Sequence, residues 1–435
     1  MQYYSTNGKA PRASLEKAVI RGLAEDRGLY MPERIPVLPN EFYENIQTMT
    51  FQEIACTVAD ALFGEDIPAA ELHRIVEETL AFDCPVVPVT RSIGALELFH
   101  GPTLAFKDVG ARFMARLLRH FTQRSDDSRT IHVLVATSGD TGSAVANGFL
   151  GVEGVRVHVL YPKGKVSPIQ ECQFTTLGQN ITALEVDGTF DDCQALVKSA
   201  FMDAELTERL RLTSANSINV ARFLPQSFYY FNGYAQMKRL GLANQLVVCV
   251  PSGNFGNLCA ALFAKRMGLP VKRFVAANNA NEVFFDYLQT GRYEPRPSIP
   301  TLANAMDVGD PSNAARIFEL YGHDWKALTA DISGSVCSDE RIREVLKYCR
   351  DKYGYQLDPH GACGFYAIYH RLAPGESALL CETAHPAKFK DTVEAATKSE
   401  IEIPARLAAF MQGEKQSVPM GRTYPEFKAY LSQLQ

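Results

Sequence analysis

HGPTLAFKDVGARF, residues His100 to Phe113, joins two different patterns. Before it, the alternating run Ala95-Leu96-Glu97-Leu98-Phe99 reads as a strand that ends in the turn Gly101-Pro102. After it, Val109, Phe113, Leu117 and Phe121 recur at helical spacing. Lys107 stands at the junction. The first turn of a helix carries the positive end of the macrodipole, which disfavours an ammonium, and the neighbouring Leu104 and Phe106 add desolvation. Those conditions suit a lysine that bonds covalently to a carbonyl group. Most lysines simply point at water, so this stretch alone leaves both readings open.

Outward from it, a strand, a small-residue turn and a helix follow one another repeatedly. Ile131 to Ala136, Arg156 to Tyr161, Ile181 to Val186, Gln245 to Val250, Arg273 to Ala276 and Ala378 to Cys381 are short apolar runs rich in branched residues. Runs of this kind mark parallel strands buried on both faces, and the intervening helices serve as right-handed crossovers. The expected fold is α/β, with open, mainly parallel sheets and helices on both faces. Ligands in such sheets sit beyond the carboxyl ends of the strands.

The turns after three of these strands carry chemistry. Pro251-Ser252-Gly253-Asn254-Phe255-Gly256-Asn257 places two glycines around Asn-Phe, so the backbone can aim several N–H groups at one point near a helix start at Asn257. This suits a phosphate, although a Gly-rich turn can also be a mere tight connection; neither dinucleotide nor nucleotide-triphosphate glycine spacing occurs in the chain. Thr137-Ser138-Gly139-Asp140-Thr141-Gly142-Ser143 is a second anion-binding turn, at a helix expected from about Thr141, or else a simple helix cap. Glu382-Thr383 ends the last apolar strand. Thr383 supplies a neutral hydroxyl there and could equally cap a helix from Pro386, and His385 reads as local structure.

HGPTLAFKD, ATSGDTGSA (Ala136 to Ala144), PSGNFGN (Pro251 to Asn257), NAMDVGDPSN (Asn304 to Asn313) and ETAHPAKF (Glu382 to Phe389) resemble, in this order, the pattern of threonine synthases of the fold-type II, tryptophan-synthase-β-like class. The resemblance extends over essentially the whole chain, including the extra amino-terminal domain of the bacterial and fungal type. It implies pyridoxal 5′-phosphate attached to Lys107, the cofactor phosphate at Gly253, Asn254, Phe255, Gly256 and Asn257, and Thr383 opposite the ring nitrogen. Asp140 takes the place next to the cofactor 3′-oxygen where many fold-type II enzymes carry Asn. The substrate's α-carboxylate is expected at Ser138, Gly139 and Thr141. A second phosphate site is expected at Asn216, Asn219 and Arg222, where the planar guanidinium fork matches phosphate, although such an arginine can also pair with a surface carboxylate. The implied reaction converts O-phospho-L-homoserine and water to L-threonine and phosphate. A dehydratase or β-replacement enzyme acting on serine or threonine, and a non-catalytic phosphate-ligand binding protein, are the alternatives. Asn304 to Asn313 follows no strand and reads as a mobile cleft loop, with Gly309 and Pro311 fitting a turn.

Composition agrees with a large soluble enzyme. The 435 residues exceed the roughly 250–300 at which single cores stop growing. They divide into a mostly helical domain over residues 1–85 and a catalytic region over 86–435, made of two α/β subdomains with the site in the cleft between them. Helices are expected over Leu15 to Leu23, Phe51 to Phe63 and Pro68 to Leu80. A net charge of -5 gives no reason to expect nucleic acid. No apolar run is long enough to span a bilayer, and the start, MQYYSTNGKAP, lacks a secretory layout, so the cytoplasm is the default compartment. Ten scattered cysteines without a CxxC pair suggest neither disulfides nor a metal site.

Overall fold

The computed structural model describes residues 1–369 and 371–434. The chain forms two compact units, each with its own sheet. One takes Met1, Pro32–Phe106 and Phe223–Glu402; the other takes Gln2–Met31, Lys107–Arg222 and the chain from Ile403 onward.

In the first unit the strands lie in the order Ile332–Val336, Arg273–Asn278, Leu246–Pro251, Ser377–Glu382, Ile93–Glu97, Val86–Pro88. Every neighbouring pair is parallel except the last, an antiparallel edge. All six residues of Leu246–Pro251 are buried, as a continuous branched apolar run requires. The helix Pro359–Ile368 packs on this strand and on Arg273–Asn278 and Ser377–Glu382. The helix Phe51–Phe63 starts in a capping box, in which the Thr50 N–H donates to Glu53 at 2.7 Å and the Glu53 N–H donates back to the Thr50 hydroxyl at 3.3 Å. Its buried face meets Ala69–Thr79 and Ser227–Arg239.

The second unit holds five parallel strands in the order Val418–Met420, Ile181–Val186, Val155–Pro162, Ile131–Ala136, Arg211–Ser214. The helices Lys107–Thr122 and Asp140–Phe149 pack on each other. No helix among the described residues is long and apolar enough to cross a membrane.

The α/β class with mainly parallel sheets is as expected from the sequence, and each of the six apolar runs read as strands is one. Arg211–Ser214 and Ile332–Val336 are strands that RLTS and ISGSV do not announce, being too polar or too small-residued for an apolar run. The compact units also divide the chain differently from a cut at residue 85. The helix Leu15–Arg21 lies against Arg211–Ser214 because the Thr213 hydroxyl and the Asn219 amide both donate to the Val19 carbonyl, at 3.1 and 2.8 Å.

Candidate active site

Strand order in the first unit brings three motifs to one sheet edge. Leu246–Pro251, Ser377–Glu382 and Ile93–Glu97 are successive parallel neighbours, so the chain leaves all three at the same end. The segment preceding Lys107 then clasps the segment after Glu382: Ala105 pairs with Ala384, the Phe106 N–H donates to the Thr383 carbonyl at 2.9 Å, and the His385 N–H to Leu104 at 3.1 Å. Leu104 holds φ 60°, a left-handed conformation costly for a branched side chain and kept only where surroundings over-determine it. Thr383 is 5% exposed, and its hydroxyl has no partner among the described residues. It caps no helix: His385, at the start of Pro386–Phe389, accepts from the Ala387 N–H through Nδ1.

The Gly253 turn has the form of a cradle. Phe255 adopts φ 58° with its ring against Phe284, and the helix Gly256–Arg266 starts one residue later. The N–H groups of Gly253, Asn254, Phe255, Gly256 and Asn257 have no acceptor among the described residues. The Asn257 side chain braces the turn, donating to the Pro251 carbonyl at 3.0 Å and accepting from the Ser252 hydroxyl and the Leu258 N–H. Five consecutive amides at a helix start, braced from behind, fit the phosphate of a pyridoxal cofactor.

In the second unit, Lys107 is the first residue of the helix Lys107–Thr122 and is half-buried. The helix Asp140–Phe149 begins one residue before its expected start, and its turn is tied from within: the Thr137 hydroxyl accepts from the Gly139 and Gly142 N–H groups at 2.9 and 2.7 Å. Neither Ser138 nor Asp140 is the cap; Gly139 holds that place with φ 140°, where a Cβ would strike Gln170. The Ser138 and Thr141 hydroxyls have no partner among the described residues, while buried Asp140 accepts from Gln170 Nε2 at 3.0 Å.

Asn216 to Arg222 follows the neighbouring strand Arg211–Ser214, and Asn216 Nδ2 donates to the Ala136 carbonyl at 3.0 Å, joining the two strand ends. The side chain of Asn219 is committed to the fold: Nδ2 donates to Val19 and Ser214, and Oδ1 accepts from the Ala221 N–H. Arg222 lies in the one-turn helix Val220–Phe223, ahead of the long helix Ser227–Arg239, and is 1% exposed, so it is not a surface arginine. It packs against Gly110 of the lysine's helix, donates to the Ala215 carbonyl, and keeps Nε without a partner. Burial lowers its pKa to about 10, with the nearby Asp108 opposing that shift.

Three contributors gave no local signal: Gln170, which fixes Asp140; buried Glu382; and His360, which meets the Asn304–Asn313 segment. Each acts through a partner far away in sequence. Within that segment Asp307 accepts from Thr301 and Asn279.

Family models match three stretches of the chain: one described as Threonine synthase N terminus over residues 2–80, one as Pyridoxal-phosphate dependent enzyme over residues 94–380, and one as Threonine synthase, C-terminal over residues 361–430. The chain is 43% identical over 431 residues to the threonine synthase of Haemophilus influenzae, covering 99% of each. It superposes on the crystal structure of threonine synthase from Escherichia coli with TM-score 0.94 and 41% identity, covering 99% of each chain. The PLP-bound threonine synthase from Brucella melitensis gives TM-score 0.89 and 35% identity over 99% of this chain and 98% of that one.

Proposed function

The chain belongs to the threonine synthase family of pyridoxal-phosphate-dependent lyases, and from that premise we propose that it converts O-phospho-L-homoserine and water to L-threonine and phosphate, with Lys107 as the cofactor-bearing residue. The observation that carries the site assignment is the set of five amides at Gly253 to Asn257 without acceptors among the described residues.

Pyridoxal phosphate, when bound, supplies an electron sink that stabilises negative charge at the substrate Cα. The residues do the rest. The Gly253–Asn257 amides hold the cofactor phosphate, and the Thr383 hydroxyl meets the ring nitrogen without giving it a full positive charge. Asp140, steadied by Gln170, stands by the 3′-oxygen. The Ser138 and Thr141 hydroxyls and the Gly139 amide hold the α-carboxylate. Asn216 and the unbonded Nε of Arg222 take the leaving phosphate, whose charge offsets a buried guanidinium. The Lys107 amine takes the proton from Cα, passes it on, and as a free amine again takes one from Cβ. The Cγ–O bond breaks with its electron pair on phosphate, water adds its hydroxyl to Cβ and gives its remaining proton to the departing phosphate, and the two protons removed from carbon are balanced by protons delivered to Cα and Cγ. Orientation of the Cα–H bond and exclusion of early water are the protein's contribution. Residues 1–85 act as a supporting domain, and the cytoplasm is the working compartment, in keeping with the lack of a membrane-crossing helix among the described residues.

Borohydride reduction of the coloured protein followed by peptide mapping tests the assignment. The label is expected on Lys107, and Lys107→Ala is expected to lose label and turnover together. A label on Lys388 instead, a buried lysine whose Nζ donates to Thr103 at 3.0 Å, would overturn it. Ammonia release from L-serine or L-threonine without turnover of O-phospho-L-homoserine would favour a dehydratase, and a protein that stays colourless with the cofactor would favour a binding role.

A further inference from the structure

The segment Asn304–Asn313 is built onto the Gly253 turn. A Cβ on Gly253 would lie 2.8 Å from the Ala305 carbonyl oxygen and 2.9 Å from Met306 Cα, so the two backbones touch with space only for hydrogen. On the next residue, the Asn254 carbonyl accepts from the Asn313 N–H and Nδ2 at 3.2 and 3.0 Å, and Asn254 Oδ1 accepts from the Ser312 N–H at 3.3 Å. Between these ends Asp307 accepts from the Thr301 N–H at 3.0 Å, the Thr301 hydroxyl at 2.7 Å, and the amides of Asn279 and Asn281 at 2.8 and 3.2 Å.

A buried chain ties the same segment to Thr383. The Ala305 N–H donates to His360 Nε2 at 3.3 Å, which assigns the ring proton to Nδ1, where His360 donates to Asp358. The Asp358 N–H reaches Glu382 Oε2 at 3.4 Å, and Glu382 immediately precedes Thr383. Glu382 is fully buried; burial, and then the charge of Asp358, push its carboxyl well above the usual range. Asp358 also caps the helix Pro359–Ile368, accepting from the Gly361 N–H at 2.7 Å. The ring of His360 packs edge-on against Phe389, and the residue is 2% exposed.

We propose that His360 is a positioning residue for the cofactor: aligned by Asp358 and Glu382, it locks Asn304–Asn313 against the Gly253 turn and holds that turn in register with Thr383. This rests on the reading of Gly253–Asn257 and Thr383 given above. Its test compares His360→Leu, which keeps apolar bulk, with His360→Gln, which keeps an acceptor for the Ala305 N–H. Pyridoxal phosphate is titrated into each apoprotein by absorbance, and the ³¹P resonance of bound cofactor is recorded. His360→Leu is expected to bind about tenfold more weakly, the scale of one lost hydrogen bond, with a shifted or broadened ³¹P line; His360→Gln is expected to recover most of the affinity. Wild-type affinity and resonance in His360→Leu would overturn the proposal, as would equal losses in both variants. Should His360→Leu fail to fold by near-ultraviolet circular dichroism, Asp307→Ala releases the segment from its other anchor, and an unchanged affinity and resonance there would overturn it as well. Wild-type protein that takes up no cofactor would instead sink the parent reading.

Discussion

Gly110→Ala perturbs the site while leaving the identity of every proposed ligand unchanged. Gly110 lies three residues into the lysine's helix, and a Cβ there would stand 2.3 Å from the Arg222 carbonyl oxygen, 3.2 Å from its carbon and 3.3 Å from Nε. The obstructing atom is backbone, so no rotamer change relieves the clash. Restoring ordinary contact demands a displacement of about 1 Å between the helix and Arg222 in a close-packed interior. Overpacking costs roughly 1–3 kcal/mol, partly offset by the ~1 kcal/mol helical preference of Ala over Gly. Function is more sensitive, because a misplacement of about 1 Å costs on the order of a hundredfold in rate. The expected result is therefore a folded, coloured protein with a slightly lowered urea midpoint and a kcat/KM for O-phospho-L-homoserine reduced about a hundredfold. Steady-state kinetics, the cofactor absorption band and urea unfolding measure the three quantities on one preparation. A kcat/KM within twofold of wild type would refute the argument that Arg222 must sit at a fixed distance from the lysine's helix.

Other outcomes follow from the same geometry. Arg222→Lys keeps the charge but loses the planar fork, so KM for the phosphorylated substrate is expected to rise at least tenfold while the cofactor spectrum stays unchanged. Thr383→Asp places a carboxylate where the unpartnered hydroxyl stands and favours a protonated ring nitrogen, so the absorption maximum is expected to move and turnover to fall; an unchanged spectrum would show that Thr383 is misplaced. Far from the site, Arg273 bonds to Glu376 at 2.7 and 3.0 Å and, with Lys272, holds that carboxyl down to about 2 from 4.5. The folded chain keeps Glu376 ionised where the unfolded chain takes up a proton. Its contribution is complete above about pH 4.5 and is lost as pH falls toward 2. Glu376→Gln is expected to cost about 2 kcal/mol at pH 7, between exposed and buried pairs, and less at pH 3; equal loss at both pH values would contradict this.

Six of the parallel strands were legible because each contains a short apolar run rich in branched residues, as at Leu246-Val247-Val248-Cys249-Val250. The positions of the Gly253 turn and Thr383 just past strand ends were legible for the same reason, and strand ends are where ligands of such sheets lie. What the sequence concealed depends on pairings across long stretches. Nothing local in LEKAVIR shows that Val19 will accept from Thr213 and Asn219, which draws the amino-terminal helix to a strand nearly two hundred residues on. The bond from Asn219 to the Val19 carbonyl was not legible, because its partner lies on a helix far earlier in the chain. His360 and Asn304–Asn313 were unreadable in role, since one hydrogen bond from Ala305 joins two segments that lack any shared motif. Arg222 stands before the long helix Ser227–Arg239, as its sequence suggested, but its burial was not legible, because the Gly110 backbone it packs against comes from far along the chain.

The central claim is tested most directly by giving purified, cofactor-loaded protein O-phospho-L-homoserine and measuring L-threonine and inorganic phosphate in the same sample. Equal amounts of both, dependent on Lys107, are expected. Phosphate without threonine, or a coloured protein that releases neither, would contradict the account and remove the substrate role given to Arg222.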